Sequence, residues 1–254
     1  MSSFDNIEAA PRRVMTLIFM VDTSGSMEGD KIGQVNDAIE NTLPEIADIS
    51  EKNADAEIKI AVLEFSSGIE WMYPEPIESE NFTWQNLEAG GLTSMGEALK
   101  ELNTKLSQTT GFMKQAAGSF APAIIMLSDG EPTDDYKHAL EKLKANNWFK
   151  AGIKVAIAVG DDANKDILAD FTGNKESVLT VHTREQLKKI IRFVSVTASQ
   201  VASSHSSVGK EAPATKQEEF VDQMKDTDNT SDTFEGVDIG DESTNAGTDD
   251  WGTF

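Results

Sequence analysis

The chain has 254 residues, of which 44 are acidic, 22 are basic and none is cysteine, so its formal net charge at pH 7 is −22. A hydrophobic fraction of 39% can supply a packed core, whereas the lack of cysteine excludes disulfides, thiolate metal sites and cysteine nucleophiles. The excess of acid argues against nucleic acid and membrane surfaces as partners and favours divalent cations or basic protein surfaces. We therefore expect a soluble protein of the cytoplasm.

Apolar runs alternate with amphipathic segments over most of the chain. Continuous apolar runs predict buried strands over residues 14–21, 58–65, 121–127 and 153–159. Apolar residues at helical spacing predict helices over residues 31–49, 95–106, 136–148, 163–171 and 183–201. A short turn after the second run predicts an antiparallel edge strand over residues 69–73. This alternation predicts a doubly wound α/β domain, with a mostly parallel sheet flanked by helices on both faces.

The charge distribution divides the chain into three parts. We assign residues 12–206 to the α/β domain, residues 1–11 to an N-terminal extension and residues 207–254 to an acidic tail. From residue 210 onward there are 13 acidic and only 3 basic residues, with few aliphatic ones. Such a segment buries too little apolar surface to offset the chain entropy that ordering costs, so we predict that the tail is disordered.

The tail also carries residues that suit regulation. Eight Ser and Thr residues follow position 226, several of them flanked by acidic residues. Phe234, Trp251 and Phe254 are aromatic residues that a purely solubilising tail does not need, and they could bind in a partner's groove. A solubilising role and a regulatory role both remain open for this tail.

Oxygen-bearing side chains follow two of the predicted strands and precede one helix. Asp22, Ser24 and Ser26 come directly after the first strand, Thr93 stands in a Gly-Gly-Leu-Thr-Ser loop, and Asp129 follows the third apolar run. Because ligands of doubly wound domains bind at the carboxyl ends of the strands, we expect these loops to converge there. Carboxylates and hydroxyls suit a hard cation such as Mg²⁺. Each loop taken alone is equally compatible with an ordinary turn or helix cap.

Together, these three motifs resemble the metal-ion-dependent adhesion site of von Willebrand factor A domains. All five positions of that site are matched, by Asp22, Ser24, Ser26, Thr93 and Asp129. The resemblance implies that the two serines coordinate the cation directly, that the two aspartates often act through bound water, and that Thr93 binds in one conformation. It further implies that an Asp or Glu of a protein partner completes the coordination. The expected cation is Mg²⁺, with Mn²⁺ as the alternative.

The sequences of residues 21–29, 90–99 and 128–134 are similar to the corresponding motifs of the bacterial tellurium-resistance-type members of this family. This finer resemblance implies a stress or defence system in which a protein kinase and a PP2C-type phosphatase are partners. Phosphorylation of the Ser/Thr-rich tail would fit such partners, since it would add charge for an arginine-lined reader.

A Mg²⁺-dependent phosphohydrolase of the haloacid-dehalogenase type is the alternative function. It too begins with an aspartate at a strand end, and Asp161 and Asp162 imitate its late acidic loop. That chemistry needs a second aspartate two residues after the first, where this chain has Ser24. We therefore expect an interaction module rather than an enzyme, and an exposed turn at Asp161 and Asp162.

Overall fold

The computed structural model describes residues 12–114, 118–203 and 215–240, which form one sheet covered by helices on both faces. The strands are β1 (Arg13–Asp22), β2 (Ala56–Phe65), β3 (Ile69–Trp71), β4 (Ile77–Glu78), β5 (Ala123–Ser128), β6 (Ile153–Val159), β7 (Val178–Val181) and β8 (Asp238–Ile239). The helices are α1 (Asp30–Lys52), α2 (Met95–Lys105), α3 (Tyr136–Lys144), α4 (Asn147–Ala151), α5 (Lys165–Thr172), α6 (Arg184–Ser203) and α7 (Lys216–Thr230). Within these ranges no helix is both long enough and apolar enough to cross a bilayer.

The strand order in the sheet is β3-β2-β1-β5-β6-β7-β8, and β4 also pairs with β2. β1, β2, β5, β6 and β7 are parallel, whereas β3, β4 and β8 pair antiparallel at the two edges. The predicted doubly wound, mostly parallel sheet is confirmed, and antiparallel pairing is present at both edges rather than one. The strand order reverses beside β1, because β2 lies on one side of it and β5 on the other. Ligands of such sheets bind at the carboxyl ends of the strands next to that point.

The central strand β1 is apolar from Val14 to Val21, except at Thr16, because both of its faces are covered. Leu17 and Phe19 of β1 face a core formed with α1, α6 and α7, whereas Ile18 and Met20 face a core formed with α2, α3, α4 and α5. One predicted helix, over residues 136–148, is two helices in the structure. The break lies at Asn146, whose side chain accepts hydrogen bonds from two backbone N–H groups of α4 and so begins a new helix.

Part of the predicted disordered tail is ordered, and the prediction was wrong for residues 215–240. Thr215 opens α7 with a reciprocal capping box, and α7 buries Phe220 and Met224. Phe234 is also buried, with its ring centroid 5.0 Å from that of Phe193 on α6. The acidic average composition of the tail does not reveal the short apolar stripe of α7, which packs on α6. The remainder of the tail, with Trp251 and Phe254, and the N-terminal residues 1–11 lie outside the described residues.

Candidate functional site

The loop after β1 and the loop before α2 are joined by backbone hydrogen bonds. Gly90 N–H donates to Thr23 O over 2.8 Å, and Gly25 N–H donates to Gly91 O over 3.1 Å. Gly91 has a φ of +85°, and a Cβ atom there would lie 2.4 Å from Ser67 Oγ. Only glycine fits this position comfortably, which allows the loop carrying Thr93 to lie against the turn after β2.

Asp22 lies at the bottom of the site and is fully buried. The strand register sets Val21 beside Leu127, so Asp22 is level with Ser128 of β5. Ser128 Oγ donates to Asp22 Oδ2 over 2.6 Å, and Ser24 N–H donates to Asp22 Oδ1 over 2.9 Å. Burial raises the pKa of Asp22 and the negative charge of nearby Asp129 adds to this rise, although the two hydrogen bonds oppose it. A positive charge at this position would therefore stabilise the carboxylate.

Ser24 and Ser26 present two hydroxyl oxygens 3.1 Å apart. Ser24 is buried and Ser26 is exposed, so the pair leads from Asp22 to the surface. Ser24 stands at the N-terminus of the 3₁₀ turn Gly25–Met27, yet its side chain makes no capping hydrogen bond there. Ser94 likewise makes none for α2, whose first N–H groups are bound by Asp134. The helix-cap interpretation is thus not supported for these two serines.

Thr93 and Asp129 complete the buried set from two other loops. Thr93 is 4% exposed, and its backbone N–H and C=O are both bound to Thr133 of the loop after β5. Its contacts to that loop run through the backbone. Asp129 is 2% exposed, and its Oδ1 has no hydrogen-bond partner among the described residues. All five predicted side chains therefore lie on adjoining loops at the carboxyl edge of the sheet.

Lys31 is a member of this site that the sequence analysis did not identify. Its Nζ lies 3.3 Å from Asp129 Oδ2 and 2.9 Å from Asp162 Oδ1. Burial alone would lower the pKa of Lys31, but the hydrogen bond to Asp162 and the charge of Asp129 outweigh it and raise the pKa. The hydrogen bond from Lys31 lowers the pKa of Asp162. The exposed turn predicted at Asp161 and Asp162 is confirmed, with side chains 87% and 73% exposed. One signal was available in the sequence, because a lysine in the first turn of a helix opposes the helix dipole.

The residues present fit a divalent cation. The buried carboxylates of Asp22 and Asp129 lie close enough to repel one another. Asp129 Oδ1 is a buried acceptor that no donor of the described residues reaches, and such an acceptor ordinarily costs about 1–3 kcal/mol. The side chains of Asp22, Ser24, Ser26, Thr93 and Asp129 offer only oxygen atoms as metal ligands, and Mg²⁺ and Mn²⁺ prefer oxygen over softer ligands. Within the part of the chain that the structure describes, no group of three or more His, Asp or Glu side chains is arranged so that it could hold a metal ion. A cation here would therefore depend on the hydroxyls as well as on Asp22 and Asp129.

Several solved structures share this fold. The chain is 16% identical to a von Willebrand factor type A protein from Catenulispora acidiphila, with a TM-score of 0.54, covering 74% of this chain and 43% of that one. Proximal thread matrix protein 1 from the mussel byssus, solved with a zinc-occupied MIDAS motif, is 19% identical with a TM-score of 0.53, covering 73% and 48%. The ArnB paralog VWA2 from Sulfolobus acidocaldarius is 20% identical with a TM-score of 0.51, covering 72% and 46%.

The chain thus spans about half the length of the solved structures that it resembles. No curated protein matches it in sequence. The sequence profile of the von Willebrand factor type A domain matches residues 16–193, which include all of the site loops described above. The chain therefore belongs to the von Willebrand factor type A domain family.

Proposed function

We propose that this domain binds one Mg²⁺ ion through Asp22, Ser24, Ser26, Thr93 and Asp129 and uses it to dock an acidic side chain of a partner protein. The observation that carries the proposal is the buried Oδ1 of Asp129, which has no hydrogen-bond partner among the described residues, beside the buried carboxylate of Asp22. The bound ion would supply a Lewis-acidic position that accepts a carboxylate oxygen in place of water. Mn²⁺ has the same ligand preference and is expected to substitute.

The protein's own residues have separate tasks in this proposal. Ser24 and Ser26 contribute neutral oxygens, which leave the charge of the ion available to an incoming carboxylate. Asp22 is fixed below them by the hydrogen bonds from Ser128 and from the Ser24 backbone. Leu92, beside Thr93, is 59% exposed and offers apolar surface at the rim of the site. These features together suit a docking point for a protein surface.

Catalysis is not part of the proposed function. Domains of this family generally act as interaction modules. The alternative phosphohydrolase reaction needs a carboxyl general acid where this chain has Ser24. Of the two residues that imitated its acidic loop, Asp161 lies within hydrogen-bond distance of His182 and Asp162 forms an ion pair with Lys31. These contacts give the acidic loop a role in local structure.

We also propose that the partners include a protein kinase and a PP2C-type phosphatase of a cytoplasmic, bacterial stress or defence system. The support is the similarity of the three site motifs to tellurium-resistance-type proteins. Thr230 and Ser231 at the end of α7 are exposed and stand beside Asp232, so a kinase could reach them. Phosphate on these residues after co-expression with the cognate kinase would support this partner assignment, and its absence by mass spectrometry would count against it.

The docking proposal is tested by affinity capture with the purified protein as bait. The capture is run with Mg²⁺, with chelator, and with Ser26→Ala, a change at an exposed hydroxyl that should leave stability within about 0.5 kcal/mol. Thr109→Ala is the matched control, because Thr109 is also exposed and also bonds a neighbouring hydroxyl, that of Ser107, beyond the C-terminal end of α2. Partners retained by Thr109→Ala in Mg²⁺ but lost with chelator and with Ser26→Ala are expected. Capture of the same partners both in chelator and by Ser26→Ala would overturn the proposal.

A further inference from the structure

A lysine ammonium lies inside a site whose remaining charges are negative. The Lys31 side chain is 21% exposed, and it contacts the side chains of Asp129 and Asp162, which are 3% and 73% exposed. The two carboxylates come from two loops, one after β5 and one after β6. Asp129 therefore has a neutralising charge on one oxygen, Oδ2, while its other oxygen has no partner among the described residues.

The fold makes room for this lysine. Gly160, at the end of β6, has a φ of +96°. A Cβ atom at Gly160 would lie 2.8 Å from Lys31 Cε and 3.3 Å from its Nζ. The stem of Lys31 thus passes against a backbone position where a side chain would collide with it. Asp162, two residues later, then holds the ammonium at 2.9 Å. The position of Lys31 is therefore set by the loop after β6 as well as by Asp129.

Placing these charges together costs folding free energy, which a favourable contact must offset. Lys31 stands in the first turn of α1, where the helix dipole disfavours a positive charge. Burial of a carboxylate without a compensating charge is also unfavourable, and here Asp22 and Asp129 are both buried. In protein without metal, the contact between Lys31 and Asp129 offsets the cost of the positive charge at the helix N-terminus and the cost of burying the Asp129 carboxylate. A divalent cation bound to Asp129 would remove that benefit, since two positive charges would then share one carboxylate.

We infer that Lys31 is a built-in counter-ion that neutralises Asp129 in the metal-free protein and thereby sets the affinity of the site for a divalent cation. The inference rests on the proposed metal site. It predicts that metal binding and the position of the loop after β6 are coupled, because Asp162 holds the other side of the same ammonium. The site would then require a higher metal concentration than its oxygen ligands alone would.

The first part of the inference is tested without metal, by a double-mutant cycle in chelator. Unfolding is measured for wild type, Lys31→Met, Asp129→Asn and the double variant. The two changes should be coupled, with the pair's interaction worth about tenfold in the unfolding equilibrium constant. A cycle in which the two effects simply add would overturn the role of Lys31 as counter-ion, whatever the site binds.

The second part is tested by titrating Mn²⁺ and following the free ion by electron paramagnetic resonance. Lys31→Met should bind Mn²⁺ about tenfold more tightly than wild type, and Lys31→Arg should stay close to wild type. Lys52→Met is the matched control, because Lys52 is an ion-paired lysine at the other end of the same helix. Equal or weaker binding by Lys31→Met than by Lys52→Met would overturn the inference. If neither wild type nor any variant binds Mn²⁺, the proposed metal site and the role of Lys31 in setting its affinity are refuted. The double-mutant cycle in chelator then still decides whether Lys31 is the counter-ion of Asp129.

Discussion

Ser128→Ala should be among the most damaging single-atom deletions in the protein. Ser128 is fully buried at the end of β5. Its hydroxyl donates to Asp22 Oδ2 over 2.6 Å and accepts from Gly130 N–H over 2.8 Å. Removal of the oxygen leaves a buried charged acceptor and a buried donor without this partner. With about 3 kcal/mol for the charged acceptor and about 1 kcal/mol for the neutral donor, the expected loss is about 4 kcal/mol.

Ser79→Ala provides a matched control. Ser79 is also a buried serine, 3% exposed, but its hydroxyl has no hydrogen-bond partner in the described residues. Its removal should therefore change stability by less than about 1 kcal/mol. Both variants are unfolded with urea in chelator, and the midpoints are compared at unchanged m-value. The reasoning would be refuted if Ser128→Ala lost no more stability than Ser79→Ala.

Two other stability predictions test separate regions. Phe220→Ala should lower the free energy of unfolding by about 3–5 kcal/mol, because the ring is fully buried in the core beside α6. Urea unfolding measures this loss, and an unchanged midpoint would show that α7 does not pack on the domain. Burial lowers the pKa of Lys154 to about 8, so the folded protein loses that proton before the unfolded chain does. Stability relative to Lys154→Met should therefore rise by about 2 kcal/mol from pH 7 to pH 10, and a constant difference in urea midpoints would contradict this.

The central sheet and the site loops could be predicted from sequence because their signals are local. The run of β1 is apolar except for Thr16 because both faces are covered, and Asp22, Ser24 and Ser26 follow it directly. The parallel order then places Asp129 at the same edge. Nothing more than strand ends and residue types is needed for this inference.

What could not be predicted depends on contacts between distant residues or on short apolar stripes. Lys31 meets Asp129 and Asp162 across 98 and 131 positions of sequence. Its unfavourable place in the first turn of α1 hints at a nearby negative charge but does not indicate which residues carry it. α7 was missed because the acidic composition of the tail outweighed the stripe that contains Phe220 and Met224. A few well-placed apolar residues can dock a segment onto an existing core, even where the segment could not fold alone.

The most direct test of the proposed function is the stoichiometry and affinity of Mn²⁺ binding to wild type and to Ser26→Ala. The account predicts one ion per wild-type chain and at least about tenfold weaker binding by Ser26→Ala, with Thr109→Ala unchanged. Because Ser26 is exposed, the melting temperature in chelator should be the same for all three proteins. Identical Mn²⁺ affinity in wild type and Ser26→Ala, or no specific binding in wild type, would contradict the claim that these five residues form a metal site.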